Sequence, residues 1–273
     1  MKVRIKFSKY SVVKFIGHLD VMRYFQKAVR RAQIDVKYSE GFNPHQIMSF
    51  AAPLGVGLTS DGEYVDIEIN SMESKEEMIA KLNEQMNEGF EITGFEVLQD
   101  TLPNQKRETA MSLVTAADYL VSLKDHYTVG NLTKEEFEVK FKEFISQETI
   151  IINKKTKKSE REMDIKPFIF DYSFEVAQEK QPSILHADIY ESGIRVFMQL
   201  ATGSVINIKP ELVLEAFYCF LGLEYNQFAW QMHRMETYGN VASTGMTQIE
   251  MIEAVKEGKP IERTLVPLGF IGI

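Results

Sequence analysis

Hydrophobic and polar residues alternate at the start of the chain. From position 2 to position 7, lysine or arginine alternates with valine, isoleucine or phenylalanine. This period of two predicts a strand with one face buried and one basic face in water. Met22, Phe25 and Val29 then recur at helical spacing, which predicts an amphipathic helix from about His18 to Gln33.

The mixed pattern continues to about position 98. Alternating or apolar stretches predict further strands at Gln46–Ala52, Glu63–Ile69 and Phe90–Leu98. A helical repeat spans Ser74–Glu88, and a serine and a glutamate three residues apart at its start fit a capping box. The order strand, helix, strand, helix, strand is typical of a ferredoxin-like α+β sandwich.

A similar order recurs after Thr101–Arg107, a stretch whose proline and asparagine are typical of a linker. The later patterns predict a strand at Tyr119–Lys124, a helix at Thr133–Ser146, a strand at Thr149–Asn153, a hairpin of Ser183–Tyr190 with Ile194–Leu200, and helices at Glu211–Leu221 and Thr247–Lys256. We therefore predict an α+β protein of two ferredoxin-like α/β-sandwich units in tandem. They cover residues 1–105 and 106–273, and the second ends in a less regular C-terminal segment.

Composition narrows the class of protein. With 44% hydrophobic and 26% charged residues, the 273-residue chain has the make-up of a globular protein rather than a disordered one. Its one cysteine, Cys219, excludes an intrachain disulfide and a cysteine-rich metal cluster, and it fits a reducing compartment. The N-terminus lacks the apolar core of a signal peptide, and no stretch is long and apolar enough to span a membrane. We therefore expect a cytoplasmic protein.

The distribution of charge changes this picture. The net charge of −8 argues against a nucleic-acid partner. Residues 1–45, however, contain ten lysines and arginines against three acids, a net of +7, which leaves −15 for the remainder. The chain therefore combines a basic N-terminal region with an acidic body.

Four cations in this region share one face of the predicted helix, because steps of 4, 7 and 8 residues return to nearly the same direction. They are Arg23, Lys27, Arg30 and Arg31, and Lys9 and Lys14 come from the segment before the helix. Such cations pair with phosphate oxygens, which favours RNA binding. The alternative is an ordinary solvated helix face.

Two further segments have residues suited to RNA. In the loop from Tyr38 to His45, Tyr38 and Phe42 offer stacking surfaces and Asn43 offers hydrogen bonds. The alternative is a structural turn with Phe42 in the core. A second basic cluster surrounds a predicted hairpin tip, where Lys155, Lys158 and Arg161 could contact phosphate or simply be solvated.

Three residues, His18, Asp20 and His45, are candidates for an acid–base or metal site. His18 and His45 could serve as general acid or base if the fold brings them together. Asp20 lies two residues after His18, so the two side chains diverge by about 200° on a helix. We expect Asp20 to interact with free backbone N–H groups at the helix start instead. No phosphate-binding loop, dinucleotide-binding glycine motif, nucleophile elbow or HExxH motif is present.

Several separated motifs occur together and in order. They are Phe7-Ser8-Lys9, Gly17-His18-Leu19-Asp20-Val21-Met22-Arg23, Ala28-Val29-Arg30-Arg31-Ala32, Tyr38-Ser39-Glu40-Gly41-Phe42-Asn43-Pro44-His45, Gly62-Glu63-Tyr64 and Arg161-Glu162-Met163-Asp164-Ile165-Lys166-Pro167. In these motifs the chain resembles the bacterial radical SAM-linked protein family, a domain of unknown function found alone or fused behind a radical SAM protein. The resemblance implies a link to radical SAM proteins, and its usual gene neighbours imply ribosomal or tRNA biology. One cysteine cannot hold an iron–sulfur cluster, so the chain is not itself a radical SAM enzyme.

Charge and resemblance together favour a non-catalytic RNA-binding or substrate-delivery protein linked to a radical SAM enzyme. Two alternatives stay open. One is an RNA-processing or RNA-modifying enzyme that uses His18 or His45. The other is an adaptor that binds a radical SAM protein and no RNA. We expect no cofactor, no bound metal, no membrane partner and no sequence-specific DNA binding.

Overall fold

The computed structural model describes residues 1–99, 108–155, 160–240 and 246–273. The strands are β1 Lys2–Lys9, β2 Met48–Phe50, β3 Thr59–Glu68, β4 Phe90–Leu98, β5 Val114–Leu123, β6 Ile151–Lys155, β7 Glu160–Asp164, β8 Ile169–Ser173, β9 Arg195–Ala201, β10 Trp230–Asn240 and β11 Leu265–Pro267. The α-helices are α1 His18–Arg31, α2 Lys75–Asn83, α3 Ala110–Leu113, α4 Lys134–Ile145, α5 Pro210–Leu221 and α6 Gln248–Lys256. The predicted linker Thr101–Arg107 lies outside the described residues.

Nine strands form one sheet with the order β4-β1-β3-β10-β5-β9-β8, while β2 pairs with β3 and β11 with β10. The sheet is antiparallel except where β10 runs parallel to β3, at His233 opposite Thr59 and Arg234 opposite Ser60. Strands β6 and β7 form a separate hairpin. The predicted α+β class is confirmed. The finer division into two ferredoxin-like units stays a prediction, because both halves of the chain contribute to this continuous sheet.

Two clusters of buried side chains attach the helices to the sheet. In the first half, Phe7 of β1 packs on Phe25 of α1 with ring centroids 4.6 Å apart, and Met78 and Leu82 of α2 join the same cluster. In the second half, Phe137 of α4 packs on the buried Trp230 of β10 with ring centroids 5.8 Å apart, and Phe217 of α5 packs on Phe137. The apolar periodicity read from the sequence therefore identifies the helix faces that the core uses.

The capping residues predicted for two helices are confirmed. Ser74 with Glu77 and Thr133 with Glu136 each form both bonds of a capping box, before α2 and α4. Helix α2 ends at Asn83, five residues before the predicted end. The Asn83 side chain accepts from the backbone N–H of Ile92 and donates to its carbonyl, which turns the chain toward β4.

The basic face of β1 does not point into water, so that part of the strand prediction is wrong. Arg4 is only 2% exposed, and its guanidinium donates to both carboxylate oxygens of Asp66, at 2.7 and 3.1 Å. Its remaining nitrogen donates to the carbonyls of Leu268 and Ile271. The C-terminal segment therefore covers Arg4, while Lys2 and Lys6 on the same face of β1 pair with Asp66 and Glu236.

The predicted strand Ser183–Tyr190 is also wrong. This part of the connection between β8 and β9 is a 3₁₀ helix, Gln178–Ile184, followed by irregular chain. Side chains tie it to the sheet instead of backbone ladders: Lys180 pairs with Asp118 at 2.7 Å, and His186 bonds Asp61 at 2.6 Å. The alternation of apolar residues that suggested a strand reflects packing of this segment over β5 and β10.

Among the described residues, no helix has both the length and the apolar character that crossing a membrane requires.

Candidate nucleic-acid interface

Helix α1 divides its residues between two faces. Val21, Phe25, Ala28 and Val29 are buried, whereas the predicted cations of the helix are all exposed. Those at positions 23, 27 and 30 follow one line along the outer surface, because they are four and three residues apart. We call Arg23, Lys27 and Arg30 the basic ridge.

Few contacts neutralise the basic ridge. Arg23 pairs with Asp20 at 3.3 Å, and both side chains are about two-thirds exposed. In the described part of the chain, no carboxylate lies within ion-pair distance of Lys27 or Arg30. The pairing also corrects the expectation for Asp20: Gly17 is the N-cap of α1, and no side chain caps the helix.

The fourth cation, Arg31, points to the side of the ridge. It donates to the carbonyl of Gln85 at 2.8 Å, and its guanidinium lies 6.0 Å from the centre of the Tyr24 ring. Arg31 therefore fastens α1 to the segment after α2, and one of its nitrogens is already used.

The loop of residues 38–45, here called the aromatic loop, is closed at its base. Tyr38 pairs with Gln46 in an isolated β-bridge, and the backbone N–H of Ser39 donates to the carbonyl of His45 at 2.8 Å. Gly41, with φ of +110°, allows the turn at its tip. Phe42 beside it is fully exposed, so the alternative that places Phe42 in the core is wrong.

A hydrogen bond connects the aromatic loop to the ridge. The side-chain amide of Gln46, at the base of the loop, donates to the carbonyl of Gln26 in α1 at 3.1 Å. Gln26 lies three residues after Arg23 and four before Arg30, on the adjoining strip of the helix. Tyr38, which is 47% exposed, and Asn43 lie on the same loop. Cations and stacking surfaces thus share one side of the protein.

Lys9 is not part of this surface. Only 2% of it is exposed, and its ammonium donates to the carbonyls of Lys14 and Ile16 at 3.3 and 3.1 Å. Burial lowers the pKa of Lys9, while Glu63 opposes the shift. Lys9 lies in a narrow cleft beneath the start of α1, which Phe7, His18, Val21, Phe50, Leu54 and Glu63 also line.

Lys14 is tied to the second half of the chain. Its ammonium pairs with Asp188 at 2.9 Å, and its carbonyl accepts from the backbone N–H of Gly57 at 2.8 Å. Lys14 therefore holds together three connecting segments at one end of the sheet, which leaves its charge only partly available to a ligand.

The two candidate histidines occupy different places. His18 is half-buried in the cleft with the edge of its ring against Phe50, and burial lowers its pKa. His45 is exposed in the aromatic loop, where its Nδ1 lies 2.8 Å from Ser39 Oγ. The contacts of the two rings do not overlap, and their pairing as acid and base gains no support from this geometry.

A buried ion pair lies under the cleft. Arg234 donates to both carboxylate oxygens of Glu63, at 3.0 and 3.2 Å, and to the carbonyl of Ala52. Burial would lower the pKa of Arg234, but Glu63 and the Tyr119 hydroxyl outweigh it and raise the pKa. In the sequence, Glu63 stands out only as part of a motif of the family resemblance. No pattern in the sequence identifies Arg234 as a candidate functional residue.

A second buried cluster joins Asp61 to two histidines. Asp61 lies 2.6 Å from Nδ1 of His186 and 3.2 Å from Nε2 of His233. Burial would raise the pKa of Asp61, but hydrogen bonds from both histidines outweigh it and hold the pKa well below its usual value. Tyr10 stacks on His186 with ring centroids 3.7 Å apart. This cluster fastens the connection between β8 and β9 to the sheet.

The second basic cluster stays a prediction. Strands β6 and β7 form the predicted hairpin, with Lys155 opposite Glu160. Lys158 and the side chains of Lys155 and Arg161 lie outside the described part of the chain. At the base of the hairpin, Asp164 accepts from the backbone N–H groups of Ile150 and Lys166, so it organises the chain locally.

Among the described residues, no group of three or more histidine, cysteine or acidic side chains is placed to hold a metal ion.

Comparison with curated proteins found no match. A family model described as an uncharacterized protein conserved in bacteria, DUF2344, matches residues 2–210. The chain belongs to this bacterial family.

Proposed function

We propose that this protein binds RNA, without acting on it chemically, through the basic ridge and the aromatic loop. The observation that carries the proposal is their position: three exposed cations of α1 lie next to a loop that exposes a complete phenylalanine ring. Cations bind phosphate whatever the sequence, and aromatic rings stack on bases.

The aromatic loop favours single-stranded over double-stranded RNA. A ring at the tip of an exposed loop can stack only on a base that has left its own stack, and the bases of an A-form duplex are not available in this way. Phe42 meets that condition, since nothing covers it among the described residues. Asn43 beside it offers an amide to the edge of the base.

Reversing two ridge charges tests the proposal. For the Lys27→Glu/Arg30→Glu variant, affinity for a short single-stranded RNA is expected to fall at least about tenfold, because two phosphate contacts become repulsive. The slope of log affinity against log salt is expected to shrink by about 1.4, since each phosphate contact on a single strand contributes about 0.7. Fluorescence anisotropy at several salt concentrations measures both quantities.

A matched variant controls for net charge. Lys142→Glu/Lys256→Glu makes the same change in charge on exposed residues in the last turns of α4 and α6. This control is expected to bind RNA as the unchanged protein does. If both double variants lose affinity equally, or if the unchanged protein binds no RNA, the ridge is not an RNA-binding surface.

We also propose, from the family resemblance in the N-terminal motifs, that the protein works in the cytoplasm beside a radical SAM protein to which it delivers RNA. A chain with one cysteine needs a partner for such chemistry. Affinity purification from the native bacterium, with and without ribonuclease, tests the proposal. Recovery of a radical SAM protein in both samples supports a direct partnership, and its absence from both contradicts it.

A further inference from the structure

A cavity of about 320 Å³ lies between the connection from β8 to β9 and the sheet beneath it. Residues between 181 and 190 line it from the connection, and Ser122 of β5, Arg195 of β9 and Lys134 of α4 line it as well. A water molecule in the liquid occupies about 30 Å³, so the cavity has room for about ten non-hydrogen atoms. None of its lining residues belongs to α1 or to the aromatic loop, so it is separate from the proposed RNA-binding surface.

Ion pairs fix the connection that forms one wall of the cavity. His186 lies 2.6 Å from the buried Asp61, and Asp188 pairs with Lys14 at 2.9 Å. Between these two anchors, Ala187 packs on the apolar cluster beneath it. The wall is therefore in place before a ligand arrives, and binding does not have to order it.

Three polar side chains of the lining have hydrogen-bonding groups that no described residue uses: Ser122, Lys134 and Arg195. The guanidinium of Arg195 lies 3.8 Å from the carboxylate of Glu175, and the ammonium of Lys134 lies 3.9 Å from that of Glu138. Both distances are too long for a hydrogen bond. The Glu175 side chain is 83% exposed, so water screens its attraction to Arg195. The donors of both cations are therefore available to a ligand.

These three side chains lie close to one another. Ser122 and Arg195 face each other across β5 and β9, which places their Cβ atoms about 5 Å apart on one face of the sheet. The stem of Lys134 lies over the turn that leads into β9, since its Cδ is 3.9 Å from the position of a Cβ at Gly193. A hydroxyl, a guanidinium and an ammonium thus line the same part of the cavity.

The charges of the lining favour a singly charged anion. Lys134 and Arg195 are its two cations, and Asp188 is its one acid. Asp188 already pairs with Lys14 and accepts from the Tyr190 hydroxyl at 3.3 Å. A carboxylate matches this balance better than a doubly charged phosphate does. A guanidinium also binds a carboxylate through two parallel N–H groups.

The rest of the lining is largely apolar and includes Leu120, Ile184, Ala187 and Ile194. We propose that the cavity binds a small organic carboxylate. Its charged group lies at Arg195, Ser122 and Lys134, and its hydrocarbon body lies against the apolar residues. This site is additional to the proposed RNA binding and does not depend on it.

Straight-chain carboxylates of increasing length test the size of the site. From butanoate to octanoate, the affinity measured by calorimetry is expected to rise about fourfold for each added CH₂, because each one leaves water. Octanoate has about ten non-hydrogen atoms and fills the cavity, so dodecanoate is expected to gain little more. Absence of octanoate binding, or an affinity that keeps rising to dodecanoate as on an open apolar surface, overturns the proposal.

Changing the head group tests the charge. Octanamide, which has the same shape without the charge, is expected to bind about tenfold more weakly than octanoate, because charge-assisted hydrogen bonds are lost. Octyl phosphate is expected to bind more weakly than octanoate as well. Equal binding of octanamide and octanoate, or tighter binding of octyl phosphate, overturns the assignment of a carboxylate.

Replacing Arg195 tests its role in the site. Arg195→Gln is expected to weaken octanoate about tenfold and to leave octanamide unchanged. Arg195→Lys, which keeps the charge and loses the paired donors, is expected to restore part of the affinity. Lys256→Gln removes the same charge from an exposed position of α6 and is expected to bind octanoate fully. Equal loss in the arginine and Lys256 variants overturns the proposal.

Filling the cavity tests the site without removing a charge. Ala187→Leu places a larger apolar side chain in the lining and is expected to abolish binding of octanoate and octanamide alike. The unfolding temperature without ligand is expected to stay the same or rise, as in other cavity-filling changes. Full octanoate affinity in this variant overturns the proposal, because the ligand would then lie elsewhere.

Discussion

Replacing Asp66 by alanine is expected to lower the free energy of unfolding by about 3–5 kcal/mol, since the change leaves a buried cation without its partner. The carboxylate of Asp66 accepts from Arg4, pairs with Lys2 at 3.0 Å, and accepts from the backbone N–H of Ala110 at 3.0 Å. Arg4 and Asp66 are each 2% exposed, so water does not replace the lost bonds.

Urea unfolding followed by circular dichroism measures this loss. Asp35→Ala is the matched control, because Asp35 is exposed and also accepts two side-chain bonds, from Asn70 and Ser71; its loss is expected to stay below about 1 kcal/mol. In a double variant with Arg4→Met, the loss is expected to be smaller than the sum of the single losses. Additive losses, or equal losses for the two aspartates, would contradict the importance of the buried pair.

Replacing Gly62 by alanine is expected to destabilise the protein by about 3 kcal/mol and to separate β3 from β10. A Cβ atom at this position would lie 2.4 Å from the Cα of Glu236 and 2.7 Å from the carbonyl oxygen of Met235. Both are backbone atoms, so no side-chain rotation relieves the overlap. The parallel pairing that joins the two halves lies only two residues away, at Ser60 and Arg234.

Gly55→Ala provides the control for this prediction. The nearest atom to a Cβ at Gly55 is a side-chain carbon of Leu58 at 3.5 Å, which is an ordinary contact. Stability is expected to change by less than about 1 kcal/mol there. Hydrogen exchange at β10 locates the effect, since the amides of this strand are expected to lose protection in Gly62→Ala. Unchanged protection together with unchanged stability would show that the strands accommodate the methyl group.

Elements whose signal is local could be predicted from the sequence. The strand Phe90–Leu98 has the predicted bounds, and the helix predicted at Thr133–Ser146 is α4 with those two residues as its caps. Each depends on neighbouring residues: an apolar alternation in one case, and a capping box with apolar residues spaced four apart in the other. The exposed face of α1 could be predicted for the same reason, because helical spacing alone separates its cations from its core residues.

Features made by distant residues could not be predicted. Arg4 has the pattern of a solvated residue, and its burial follows from an aspartate 62 positions later and carbonyls more than 260 positions later. Lys9 is buried for a similar reason. Glu63, 54 positions later, lines the same cleft, and the Lys9 ammonium donates to the carbonyl of Ile16 just before α1. A periodicity describes which residues share a face. It does not say what will later cover that face.

The central place of β10 sets the order in which the fold can be completed during synthesis. The chain leaves the ribosome from its N-terminus, so β1, β3 and β4 can pair while β10 is still being made. The edge of β3 that pairs with β10 stays unpaired until β10 has been synthesised. Thr59 of β3 and its partner His233 of β10, for example, are 174 residues apart in the sequence. Until then the nascent protein exposes an unpaired strand edge. The free backbone N–H and C=O groups of such an edge can pair with a strand of another chain. Leu268 and Ile271, whose carbonyls accept from Arg4, are synthesised later still, so the surroundings of Arg4 in the first strand are completed only after β10.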